Sequence, residues 1–311
     1  MAEQKKKVVR AASKSGANAA TSGANTARSR SAEGGSTAPE WRVTPENKKK
    51  ATTRRIIAGV LWAIAILLEI FAIFFLLNSD RRARLGLRFG WDPGDTGFPG
   101  WALTMLIVLF VVIGILAIAG SFLWKSANDL DPASKKDTVR FFVQNQLGAI
   151  ITLVAFLPLI VLVFMNKDMD QKQKTIAGAV GVVAVLVAGL LGVDWNPPSV
   201  EQKTIEAQWD QQRVIAITGE DLVYWVPGGS VYHLCADVSP LQTTSTSEEI
   251  LAGSVQEAID HGMSRLTKQV QMEINQCGLP QPDDMYLDWE PPANFEDLPV
   301  PEDAPEVEPA A

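Results

Sequence analysis

Apolar and polar positions are sorted along this chain in blocks. Residues 56–77, 101–124, 147–165 and 175–193 form four nearly unbroken apolar runs. A run of about 20 apolar residues is what a helix needs to cross a hydrocarbon core of roughly 30 Å. The second run has a Trp at each end, Trp101 and Trp124, as residues placed at the two membrane–water interfaces would be. The pattern therefore predicts an α-helical membrane protein with four transmembrane helices.

Beyond residue 193 the pattern changes to short runs. "RVIAIT", "LVYWV" and "VYHLC" are β-branched and aromatic, with "GED" and "PGGS" between them. They read as a three-stranded antiparallel meander. Ile259, Met263, Leu266, Val270 and Ile274 then recur at spacings of three and four. They predict one amphipathic helix that ends at Gly278, with Pro280 just beyond. Residues 194–278 are thus expected to fold as a small C-terminal α+β module. The segments on either side, 1–55 and 279–311, have little to bury and are expected to be disordered.

Charge sharpens this division. Residues 1–55 carry 13 Lys or Arg against Glu3, Glu33, Glu40 and Glu46. Residues 278–311 carry ten acidic residues, eight prolines and no base. Lys48, Lys49, Lys50, Arg54 and Arg55 precede the first span. Lys125, Lys135, Lys136 and Arg140 lie between the second and third. Basic residues next to spans face the cytoplasm, so both termini and the module are expected there. Arg81, Arg82, Arg84 and Arg88 in the opposite loop pull the other way. The basic N-terminal tail is expected to meet anionic lipid head groups. No apolar run precedes residue 56, so the first span is expected to remain in the mature protein as an anchor.

The candidate chemistry is sparse. Glu69 is the only ionisable residue within a span. Such a residue either relays ions or protons, or is held neutral by a hydrogen bond to a neighbouring helix. Ala184, Ala188 and Gly192 line one face of the fourth span at four-residue spacing, suited to close helix packing within the chain or to a homo-oligomer seam. Asp168 and Asp170 lie in a nine-residue turn. A cation site there would need further oxygen ligands, and a polar turn is the expectation. His233 and Cys235 share a strand face. A zinc site would need two more ligands, and only His261 and Cys277 remain of the usual types. His261, two residues from Ile259 on the expected helix, should point away from the packed face. Two cysteines make no disulfide framework, so Cys235 is expected to be a small buried residue and His233 a hydrogen-bonded one. No catalytic residue, cofactor or metal is expected, and "GAVGVV" lacks the lysine of a phosphate loop.

"GGSVYHLC" followed by "GSVQEAIDHG" resembles small metal-binding-like modules spelled Gly-x-x-Tyr-His…Cys, then Glu-Ala and Gly, then Cys-x-x-Cys. Gly229, Tyr232, His233, Glu257, Ala258 and Gly262 carry the likeness, whereas "SRLTKQV" stands where the closing pair belongs. The whole arrangement, with "NPPSVEQ" after the last span, resembles an uncharacterised family of actinobacterial multi-pass membrane proteins. That likeness implies a bacterial plasma membrane and brings no activity with it. The expectation for function is an inner-membrane anchor or adaptor in an envelope or cell-division assembly, its protein partner unnamed. The alternatives are a small transporter or ion-pathway subunit using Glu69, and a metal or redox sensor using His233 and Cys235.

Overall fold

The computed structural model describes residues 6–11, 38–88, 97–243 and 249–292. These divide into two compact units. One is Asn47–Ser199; the other combines the described residues up to Glu46 with those from Val200 onward.

A short strand, β1 (Lys7–Arg10), opens the described chain. The first span follows as α1 (Pro45–Phe71), with proline at the first helical position, where its missing N–H has no intrahelical partner to lose. The helix continues through a π turn, Ala72–Leu76, and a bend leads into the amphipathic α2 (Ser79–Arg88). The remaining spans are α3 (Gly100–Leu130), α4 (Thr138–Met165) and α5 (Gln171–Gly192). Four helices, Pro45–Leu76 and these three, are long and apolar enough to cross a membrane, and each contains one of the apolar runs.

Burial within this unit is inverted relative to a soluble protein. Val60, Leu67, Ile115, Leu157 and Leu186 face outward, while Glu69, Ser121, Thr152 and Asn145 are buried. Lipid tails are as apolar as leucine, so the helices gain nothing by hiding leucines. They associate where small residues let backbones approach. A Cβ on Gly120 would meet the Trp62 indole nitrogen at 2.5 Å, and one on Gly192 would stand 3.1 Å from the Gly148 backbone. Inside, Phe110 of α3 stacks on Phe156 of α4, with ring centroids 6.3 Å apart.

Both ends of the bundle are tied by charge. At one, Arg55 pairs with Asp131 at 2.6 Å and Arg54 donates to the Ser126 carbonyl. The Lys125 ammonium donates to the carbonyls of Leu191 and Val193, which the end of α5 leaves without helical partners. At the other end, Arg82 pairs with Asp168 at 2.5 Å and donates to the Leu76 carbonyl. Asp170 caps α5 in a reciprocal box with Gln173. The polar turn expected around Asp168 and Asp170 thus consists of an ion pair and a helix cap.

The second unit departs from the expected meander. "RVIAIT" is helical, the last part of α6 (Val200–Thr218). Its β-branched residues favour a strand locally, but Ala207, Asp210, Val214 and Ile217 are buried at helical spacing and tertiary packing wins. Gly219, with φ of 82°, ends the helix. Then come β2 (Val223–Trp225), β3 (Val231–Tyr232), the short α7 (Ser239–Thr243) and β4 (Glu249–Gly253). The expected single long helix is divided into α8 (Val255–Asp260), β5 (Arg265–Leu266) and α9 (Val270–Cys277). A Ser254–Glu257 capping box starts α8, and Gly262 with φ of 90° turns the chain after it. Ile259, Met263, Leu266, Val270 and Ile274 are all buried, though spread over α8, the turn after it, β5 and α9 rather than one helix.

The sheets are small. β4 lies between β1, which runs parallel to it, and the antiparallel β2, while β3 pairs in parallel with β5. Only the Tyr224–His233 bridge joins β2 to β3 in the hairpin manner expected of them. The unit is also wider than 194–278. β1 and Trp41, within the supposed disordered tail, belong to it, and Trp41 is buried in its core. Downstream, Tyr286 stacks on Trp209 at 5.7 Å. Residues 45–55 of the N-terminal tail are helical, the first turns of α1, and Asp284–Leu287 of the C-terminal tail form a 3₁₀ turn. The remainder of the expected disorder, residues 1–5, 12–37 and 293–311, lies outside the described residues.

Candidate functional site

The polar interior of the second unit is organised by two carboxylates. Asp210 sits on the buried face of α6, one turn before Val214. Its Oδ2 accepts from the Tyr232 hydroxyl at 2.7 Å and from the Leu266 amide at 2.6 Å, and its Oδ1 from Arg213 Nη1 at 3.2 Å. Arg213 also donates from Nε to the Tyr286 carbonyl at 2.9 Å. Asp210 and Arg213 together therefore join α6, β3, β5 and the 3₁₀ turn Asp284–Leu287. Burial pushes the Asp210 carboxyl above its ordinary range against the pull of these donors. Burial likewise lowers the Arg213 guanidinium, with Asp210 opposing, and holds the Tyr232 hydroxyl well above its usual value.

The second carboxylate, Glu273, has no solvent exposure. His233 Nδ1 and its Oε1 share a hydrogen bond at 2.6 Å, and the Leu234 amide donates to its Oε2 at 3.0 Å. One turn further along α9, Cys277 is bonded to Cys235 in a disulfide spanning 42 residues, with Cα atoms 6.3 Å apart. His233 and Cys235, on either side of a bend at Leu234 rather than on one strand, each meet a residue of α9. Glu273 and Cys277 are four apart on one helix face, whereas β3 ends at Tyr232, before His233 and Cys235. The two pairs interlock α9 with the segment after β3.

This geometry revises the reading of the two cysteines, which form a bridge rather than standing as separate buried residues. His261, expected to point away from the packed face, caps α8, and its ring lies 5.6 Å from that of the buried Trp225. Among the described residues no group of three or more His, Cys, Asp or Glu is placed to hold a metal ion. Sequence reasoning missed Asp210, Arg213, Glu273 and the role of Cys277. The available signal was the matched spacing of 233 with 235 and 273 with 277.

In the bundle, Glu69 is 4 % exposed and its Oε1 has no partner among the described residues. Ala188 and Gly192 face α4 and the bundle core, with Gly192 against Gly148. Ala184, one turn earlier, packs against the same core and also borders an apolar groove between α3 and α5, beside Gly114 and Val183.

The fold is mostly helical, with four helices long and apolar enough to make it a multi-pass membrane protein and a few small strands paired in sheets. The chain matches no protein-family model, no curated protein and no solved structure.

Proposed function

We propose that the chain is a membrane anchor or adaptor that presents its α+β unit at the cytoplasmic face of a bacterial plasma membrane, in an envelope or cell-division assembly. One observation carries this reading. The unit is assembled from both flanks of the bundle, with β1 from before the spans pairing to β4 from after them. A unit so built needs both flanks on one side, and four crossings satisfy that. The basic residues support the cytoplasmic side: Arg54, Arg55 and Lys125 fasten the bundle end nearer the flanks, and Lys48 and Lys49 lie exposed where anionic head groups would meet them. Crosslinking in native membranes tests the role. A partner should be captured by wild-type protein and by Glu69→Gln, and lost when residues 200–292 are removed from protein that still inserts. Capture independent of those residues would reject the adaptor reading.

A second reading is favoured by the Cys235–Cys277 bond. In a cytosol that keeps thiols reduced, a disulfide is transient or redox-sensing rather than permanent. On this reading the pair is a thiol–disulfide couple. It forms by exchange with a disulfide-bearing partner, which takes up the two electrons as two thiols. Alkylation trapping of intact cells separates the readings. A sensor shows free thiols at rest and a bonded pair after oxidant; an invariant redox state in both conditions rejects it.

A further inference from the structure

The four arginines on the face opposite the flanks are unexpected for a loop on the outside of a membrane, and the structure gives three of them separate places. Arg82 is 3 % exposed and points into the bundle, held by Asp168 and by the Leu76 carbonyl, with its guanidinium 4.6 Å from the Phe98 ring centre. That anchor fixes α2 against rolling about its own axis. Arg81 and Arg84 are consequently presented on another face, three residues apart and both exposed. Neither forms an ion pair with a carboxylate among the described residues. The Arg81 guanidinium lies 5.7 Å from the ring centres of both Phe74 and Phe75, the last exposed aromatics of the first span. Those rings face lipid, so the charge they carry is held at the boundary where hydrocarbon meets head groups. Arg81 and Arg84 line a cavity of about 310 Å³ whose other walls, among the described residues, are Phe75 and Leu85.

We propose that this cavity binds the phosphodiester head group of an anionic phospholipid in the leaflet opposite the α+β unit. Two guanidinium groups supply a planar array of donors suited to phosphate oxygens. Phe75 and Leu85 supply an apolar wall for the glycerol and the first acyl carbons, which a free phosphate would leave unused. A zwitterionic lipid brings its own cation into a cavity already lined by two positive charges, so anionic lipid is preferred. The site differs from any contact made by the basic N-terminal flank, which meets the other leaflet.

The test uses the full chain in nanodiscs of phosphatidylglycerol and phosphatidylcholine, with retained lipids counted by native mass spectrometry. Wild-type protein should retain phosphatidylglycerol preferentially. R81Q/R84Q should lose that preference by roughly tenfold or more, given two charges removed near a membrane surface. R81K/R84K should keep most of it. K48Q/K49Q/K50Q should leave at least one tightly held phosphatidylglycerol in place. Both arginines are exposed, and an unchanged melting temperature in detergent confirms that R81Q/R84Q is folded. Equal retention by wild type and R81Q/R84Q overturns the proposal, as does equal retention of the two lipids. Displacement of the lipid by millimolar inorganic phosphate also overturns it, since the cavity would then be a soluble-anion site.

Discussion

Glu273 and Asp210 each gather donors from segments far apart in the chain, so single substitutions there should act on the whole α+β unit. Glu273→Ala removes the hydrogen-bond partners of the His233 ring and the Leu234 amide. Each orphaned buried group costs about 1–3 kcal/mol. The unit should melt clearly lower by circular dichroism, and Glu273→Gln, which keeps an acceptor for the amide, should lose less. Asp210→Ala leaves Arg213 buried without its carboxylate, a change typically worth about 3–5 kcal/mol. Asp210 also sets a pH dependence. Burial raises its folded pKa above the unfolded value, so its contribution to stability is complete in acid below the ordinary carboxylate range. That contribution is lost as pH rises through the raised value. A urea series from about pH 4 upward should show this decline in wild type and not in Asp210→Asn; parallel slopes would discount it.

Among the elements, α9 and α3 show two kinds of packing. α9 has only eight residues, too short to be stable alone, and is held by Glu273, Cys277 and the buried Val270 and Ile274. α3 is long and intrinsically helical, and its packing depends on absent atoms. Gly120 admits the Trp62 ring, whose Nε1 donates to the Ala117 carbonyl at 3.3 Å. Gly120→Leu should expel that ring and cost about 1–3 kcal/mol through overpacking, visible as faster thermal inactivation in detergent. Glu69→Gln should leave stability nearly unchanged, since the amide keeps the shape and a hydrogen-bonding group. Glu69→Leu should lose about 0.6 kcal/mol, the average for an interhelical hydrogen bond in a membrane. A transport-like defect confined to Glu69→Gln, at normal protein level, would instead assign that carboxyl a proton-carrying role.

For the whole molecule, the disulfide and the topology can be examined in one background. A bridge closing a 42-residue span is worth about 4 kcal/mol by chain entropy. Cys235→Ser, Cys277→Ser and the double variant should therefore melt at the same lowered temperature, because each removes the one bond. With both cysteines replaced, single probes at Glu220 and Lys172 report sidedness. An impermeant thiol reagent on intact cells should modify the Lys172 probe and spare the Glu220 probe. The reverse pattern would invert the orientation and move the disulfide to the oxidising side.

Sequence alone determined the spans, because a bilayer imposes one local requirement, about 20 apolar residues in succession, and a helix satisfies its own backbone hydrogen bonds without reference to the rest of the chain. It also identified Ile259, Met263, Leu266, Val270 and Ile274 as buried. What it did not determine was the element each belongs to, because a run such as "RVIAIT" suits a strand by propensity and a helix by periodicity. Only the tertiary structure decided between them, by burying Asp210, Val214 and Ile217 on one face. Tertiary structure alone also brought Lys7–Arg10 to β4, Asp210 to Tyr232 and Cys235 to Cys277. These contacts link residues tens to hundreds of positions apart, and no local pattern specifies them. They form because a unit this small closes its core only by drawing in every segment that can reach it.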